Sequence, residues 1–228
     1  MANYPAIDAT LKRHQITGVA LISGLAADCD FVNGNRMLRD ILNAEQKRFG
    51  YVTLNQDYPE ESQEEQRKYL TRKEFVAAAM FGHDGNPVTL GDSRDILNAQ
   101  RRYTKPMAID TPNADAVHEA RVIAEAFPTM KFIFLGMGGD EWHAAVAAAK
   151  QYLNIYLEIS GSLDSDKIAH ASAVLTPRKL LYGSRLPYSD PQITIGLVED
   201  AVTLTSADRN RIYSQNAAAV FNAQNPTE

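Results

Sequence analysis

The 228-residue sequence predicts an α/β protein, a TIM-like (β/α) barrel in which seven strands are visible. Short apolar, β-branched runs start at residues 18, 50, 75, 106, 131, 155 and 180, a pitch of about one βα unit. Each run is nearly continuous in its apolar character, as suits parallel strands covered on both faces. Helical stretches separate the runs, and no Pro-, Gly- or Ser-rich linker divides the chain, so residues 1–228 read as a single domain. A doubly wound open sheet shares much of this pattern; the number of strands favours the barrel.

The elements follow in order. Residues 5–16 (PAIDATLKRHQI) read as a helix with Ile7, Leu11 and Ile16 on one face, leading into the first visible strand, Gly18–Ser23. Asn33 or Asn35 is placed to cap a segment carrying Met37, Leu38, Ile41 and Leu42, before the strand Gly50–Asn55. Pro59 opens PEESQEEQRKYL, with acids in the first turn and bases in the last, as the helix dipole favours. Its EESQEEQRK run reads as a solvated face. After Phe75–Met80 and Pro106–Asp110, Asn113 or Asp115 starts ADAVHEARVIAEAF, which Pro128 ends. Lys131–Leu135 follows, then Asp140 starts EWHAAVAAAKQYL. After Ile155–Ser160 and Leu180–Ser184, Asp208 lies near the start of a last helix, and the tail AQNPTE is expected to fray.

Composition narrows the function. The net charge is −5, from 23 Lys+Arg against 28 Asp+Glu, so no basic excess marks a nucleic-acid footprint. The single cysteine, Cys29, has no partner for an intramolecular bridge and reads as an ordinary buried or half-buried side chain. The start MANYPAIDATLKRHQ lacks the cationic head and apolar run of a secretory signal. No stretch approaches the roughly 18 apolar residues of a membrane span. A cytoplasmic protein with no membrane partner is expected.

Three segments carry a resemblance: KFIFLGMGGDEWHAAVAAAKQYLNIYLEISG, KLLYGSRLPYSDP and DRNRIYSQNAAAVFN. Together they resemble the amidohydrolase superfamily, in its amidohydrolase 2 branch of small metal-dependent hydrolases and decarboxylases. The match spans about Pro106 to Phe221; GVALIS, GNRMLRDILN and RFGYVTLN fit more loosely. The resemblance implies a metal, typically zinc, held by a His-x-His pair on strand one, a His on strand five and an Asp on strand eight. Another His follows strand six.

This chain departs from that pattern. Asp110 stands at the strand-five position in PMAIDTP, Gly136 at the strand-six position in LGMGG, and Arg185 at the strand-eight position in YGSRLP. No His-x-His pair is present. Only Asp110 keeps a ligand-capable side chain, and Arg185 brings a permanent cation, so no metal ligands and no cofactor are expected. Strand one is expected to be absent, about one βα unit at the N-terminus. That gap would be closed by direct pairing of the flanking strands or covered by a second copy, with a homodimer expected.

The resemblance therefore implies a divergent, metal-independent hydrolase or lyase of a small carboxylate-bearing substrate. Asp110 would act as general base and Arg185 would anchor the substrate anion. His83, in MFGHDGNP, is a further acid–base candidate, with an exposed loop histidine as the competing reading. Ser160, Tyr188 and Gly136 are placed to line the mouth and bind substrate. The GMGG glycines read as a tight turn rather than a phosphate cradle, because Asp140 and Glu141 follow and repel an anion. Glu158 stands where the resemblance places an acid and reads as an ordinary strand acid. The alternatives are a non-catalytic barrel binding a small anion or a protein partner, and a metal hydrolase completed by ligands from a missing N-terminal segment or another subunit.

Overall fold

A computed structural model describes residues 4–83, 85–161 and 164–222. The expectation for the tail AQNPTE falls outside the described residues. The chain forms two compact units, residues 1–108 and 109–228, divided within one strand.

In the first unit, α1 (Tyr4–Arg13) buries Leu11 and leads into β1 (Val19–Leu21). Two short helices follow, α2 (Gly24–Asp28) and α3 (Phe31–Arg39). They pack so closely that a Cβ on Gly34 would lie 2.4 Å from the Ala26 nitrogen. The cap of α3 is Asp30, whose carboxylate accepts the Asn33 N–H at 2.9 Å; neither expected asparagine caps it. Asn35 lies inside the helix and is fully buried, where its amide exchanges hydrogen bonds with the Thr53 backbone and donates to Glu65 at 3.0 Å. Cys29 is exposed.

Next come β2 (Arg48–Leu54), α4 (Pro59–Tyr69), β3 (Phe75–Met80), α5 (Leu90–Gln100) and β4 (Met107–Asp110). β1, β2 and β3 pair in parallel and in chain order. Every residue of β3 is buried, as its unbroken apolar run requires. The expected solvated face of α4 is only partly so. Ser62, Glu65, Gln66 and Tyr69 are buried, and Glu65 is satisfied by Asn35 and by Lys68 at 2.9 Å.

In the second unit the chain leaves β4 into α6 (Ala114–Ala126), capped by Asn113, one of the two expected starts. The order continues with β5 (Phe132–Leu135), a 3-10 turn over Gly136–Glu141, α7 (Trp142–Gln151), β6 (Ile155–Glu158), α8 (Asp166–Leu175) and β7 (Leu180–Leu181). Then follow α9 (Pro191–Asp200), α10 (Ser206–Asn210), a π turn over Arg211–Gln215 and α11 (Asn216–Val220). β5, β6 and β7 are parallel neighbours in chain order, in register from Phe132↔Ile155 to Glu158↔Leu181. Phe132 and Phe134 are fully buried, each stabilising the unit by about 1.5–3 kcal/mol relative to exposure. Asp140 does not start α7: the glycine-rich turn intervenes, and the helix begins at Trp142 without a side-chain cap.

The alternation of seven parallel strands and helices is that of the predicted (β/α) class. Among the described residues no helix is long and apolar enough to cross a membrane.

Candidate functional site

In a (β/α) fold, functional groups gather where the strands end. In the second unit, β4 ends on Asp110, which is half-buried. Burial raises its pKa above the ordinary carboxylate value, and the nearby Arg185 cation and the Thr111 backbone N–H pull it partly back. Thr111, fully buried, joins this end to the next turn. Its hydroxyl donates to the Leu135 carbonyl at 2.8 Å and accepts the Gly138 N–H at 3.3 Å.

β5 ends in the GMGG turn, where Gly136, Met137, Gly138 and Gly139 all have positive φ. This bears out its reading as a tight turn. β6 ends on Glu158, whose carboxylate accepts the Gly136 N–H at 2.9 Å, the Ser160 N–H at 3.1 Å and the Ser160 hydroxyl at 2.8 Å. Burial raises its pKa; these three donors and the Lys167 ammonium oppose the rise. The strand ends approach one another so closely that a Cβ on Gly161 would overlap the Gly136 carbonyl, and one on Gly183 would overlap a Glu158 oxygen. Only glycine fits at 161, where the neighbour is backbone; a side chain at 183 would displace the Glu158 carboxylate.

Beyond β7, Arg185 has a left-handed backbone (φ 52°), and its carbonyl accepts the Tyr188 N–H at 2.8 Å. Its guanidinium makes no hydrogen bond or ion pair of contact length among the described residues. It shares with Asp110 a cleft of about 180 Å³, lined also by Pro112, Gly136, Gly139, Asp140 and Gly161. That volume lies below the usual range for drug-sized ligands and suits a small substrate.

Asp110, Gly136 and Arg185 therefore line one cleft. Asp110 and Arg185 influence each other electrostatically without the direct ion pair that the sequence allowed. Ser160 precedes the lining residue Gly161, but its hydroxyl is committed to Glu158. Tyr188 is 78% exposed and does not line the cleft. His83 belongs to the first unit, half-buried in a short antiparallel bridge with Asn86. One residue was misread and another escaped the sequence reading. Glu158 is the hub of the strand ends, not an ordinary strand acid. Lys167 is fully buried; its signal was the stripe Lys167, Ala171, Leu175, a helical spacing that buries all three.

The family model for amidohydrolases, of the amidohydrolase 2 type, matches residues 4–223. The chain belongs to the amidohydrolase family. No curated protein matches it. Among solved structures it is similar to 2,6-dihydroxybenzoate decarboxylase from Rhizobium, at 14% identity and a TM-score of 0.72, covering 97% of this chain and 89% of that one. It is similar to 5-carboxyvanillate decarboxylase from Novosphingobium aromaticivorans, at 14% identity and a TM-score of 0.74, covering 95% and 79%. It is also similar to a dihydroxybenzoic acid decarboxylase from Polaromonas, at 16% identity and a TM-score of 0.73, covering 97% and 86%. These family members are TIM-barrel proteins, in keeping with the fold predicted here.

The Novosphingobium and Polaromonas enzymes hold bound manganese. This corrects the expectation of no cofactor: a divalent metal belongs to this family's chemistry. The donors in this chain's cleft fall short of such an ion's needs. Manganese takes about six oxygen or imidazole ligands, whereas among the described residues no three His, Cys, Asp or Glu side chains converge. The cleft offers Asp110 and Asp140, with the Arg185 cation at the same wall.

Proposed function

We propose that this amidohydrolase-family chain is a lyase of small carboxylate-bearing aromatic acids, with decarboxylation as its reaction. The observation that carries the reading is a guanidinium with no contact partner among the described residues and a carboxyl whose pKa is raised by burial, in one small polar cleft. Decarboxylation needs both an anchor for an anion and a proton donor at the carbon that loses carbon dioxide. The three structural relatives named above, all decarboxylases, support the same class.

An arginine on the departing carboxylate would stabilise the ground state and slow the reaction. Arg185 is therefore assigned to an anionic oxygen that stays on the product, a second carboxylate or a phenolate, held through two parallel N–H donors. Asp110, kept protonated to higher pH by burial, passes its proton to the ring carbon bearing the departing group. The carbon–carbon bond then breaks, carbon dioxide leaves, and the bonding pair remains on the ring to restore its aromaticity. Asp110 is left as a carboxylate and recovers a proton from water.

The test uses the full chain with manganese supplied, against 2,6-dihydroxybenzoate and 5-carboxyvanillate, reading calorimetric binding and release of carbon dioxide. At least one acid should bind and release the gas. Arg185→Ala should weaken binding by about tenfold or more, the worth of a charged hydrogen-bond pair. Asp110→Asn should bind without turnover. Failure of both acids to bind, or equal binding by Arg185→Ala, would overturn the proposal.

A further inference from the structure

We infer that the exposed face of α4 docks against the same face of a second copy of this chain, antiparallel about a two-fold axis. The acidic end of each helix then meets the basic end of the other. This pairing is independent of the cleft chemistry, and it lies on a helix and not on the strand edge that the sequence suggested.

The helix PEESQEEQRKY divides by face. Ser62, Glu65, Gln66 and Tyr69 are buried. Glu60, Glu61, Glu64, Arg67 and Lys68 recur at the i, i+1, i+4, i+7, i+8 spacing that forms one stripe of a helix, and all are exposed. Along that stripe the sign changes once. Asp57, just before the helix, extends the acidic half, and Arg72 and Lys73, just past it, extend the basic half; all three are exposed.

The helix dipole accounts for acids in the first turn and bases in the last. It does not account for Glu64, which lies four residues from Glu60 and three from Glu61, spacings at which like charges repel. Nor does it reach Arg72 and Lys73. Pairing within the chain uses little of this charge. Lys68 holds the buried Glu65 at 2.9 Å and lies 3.7 Å from Glu64. Asp57, Glu60, Glu61, Arg67, Arg72 and Lys73 make no side-chain hydrogen bond or ion pair of contact length among the described residues.

The face is held in place from beneath. The Ser62 hydroxyl donates to the Asn55 carbonyl at 2.9 Å, and the Gln66 amide donates to the Ile96 carbonyl at 3.1 Å and to Gln100 at 2.9 Å. At the basic end the Lys105 ammonium donates to the Arg72 carbonyl at 2.7 Å. A surface already ordered loses little freedom on docking. A second copy is the fitting occupant because a two-fold interface sets one patch against itself. Reversing the helix direction brings acid opposite base at both ends at once, whereas a partner of one charge sign would be repelled along half the stripe. Tyr58, 53% exposed at the acidic end and 6.3 Å from the Phe31 ring, offers an aromatic face to an incoming guanidinium.

The test is sedimentation velocity on the full chain at about 0.1 mM, in about 20 mM and about 500 mM sodium chloride. The chain should sediment as a dimer in low salt, and its dissociation constant should rise about tenfold or more in high salt, where the charges are screened. Glu60→Lys combined with Glu61→Lys and Glu64→Lys should give a monomer in low salt, as should Arg67→Glu combined with Arg72→Glu and Lys73→Glu. An equal mixture of the two variants should restore the dimer, because one face is then basic along most of its length and the other acidic. A parent that stays monomeric in low salt, a dimer that either variant leaves intact, or a mixture that stays monomeric would overturn the inference. If a variant does not fold, carbodiimide coupling in low salt of an equal mixture of ordinary and nitrogen-15 chain decides. Mass spectrometry should find Glu60 or Glu61 joined to Lys73 in peptides that carry both isotopes. Joined peptides of a single isotope, or none between these residues, would overturn the pairing.

Discussion

Lys179 enters β7 and Arg185 follows it, and the two cations are used in opposite ways. The Lys179 ammonium is spent on backbone: it donates to the carbonyls of Tyr152, Leu153 and Ile155 where β6 begins, and lies 5.0 Å over the Tyr156 ring. Lys131, entering β5, does the same for the carbonyls of Ala219 and Val220. In the first unit Lys105, entering β4, donates to the carbonyls of Arg72 and Phe75. Where strands begin, lysine supplies donors that orphaned carbonyls need. Where they end, Arg185 has no contact partner among the described residues, and burial raises the pKa of Asp110. Charge already satisfied by backbone holds a fold together; charge left unsatisfied in a cleft is available to a ligand.

Breaking the satisfied end should have the largest effect on stability. Lys179→Met keeps the apolar stem but strips the donor from three carbonyls. A loss of about 1 kcal/mol is expected in urea unfolding, since two of these bonds are part-buried and the one to Leu153 is exposed. A variant as stable as the parent would mean that water serves these carbonyls as well as the ammonium does.

The same contrast explains what was legible in the sequence. All seven strands were visible because a strand covered on both faces needs an unbroken apolar run, and β3 buries every residue. The last run was over-read: β7 stops at Leu181 because the Tyr182 N–H turns to the Ile212 carbonyl. For α6 the sequence offered Asn113 or Asp115, and the structure uses Asn113. Asp30 was missed because two asparagines downstream offered the same chemistry, and one of them, Asn35, was needed inside to bond Thr53 and Glu65. Asp110, Gly136 and Arg185 stood out only against the family's pattern. Glu158 stood where the family has an acid but read as an ordinary strand acid, and Lys167 did not stand out, since one lysine in a helix looks solvated until packing buries it. The metal expectation failed for a different reason: missing ligands in one chain say little about the chemistry of its relatives.

Asp110→Asn should have a smaller effect, of the opposite sign. A carboxyl whose folded pKa is raised contributes stability that is fully present below its ordinary value of 3.8 and lost as pH rises through the folded value. Asparagine loses nothing over that range. The variant should therefore unfold at higher urea than the parent near neutral pH, with the difference closing towards acid. Equal midpoints at every pH would show that Asp110 is solvated like a surface acid.

Arg185→Ala should change stability least, and that small effect is what separates the two cations. The side chain is exposed and makes no contact-length ion pair among the described residues, so its loss should stay within about 0.5 kcal/mol. Its charge still acts on Asp110, where it opposes the rise caused by burial. With alanine at 185 the burial effect stands less opposed, and the Asp110 carboxyl, followed by carbon-13 NMR, should titrate at higher pH than in the parent. Proton transfer from Asp110 would then persist further into the alkaline range even as substrate binding weakens. If Arg185→Ala instead destabilises the chain as much as Lys179→Met does, the arginine is one more structural cation. An Asp110 titration that does not move would place the guanidinium too far away to share a substrate with it.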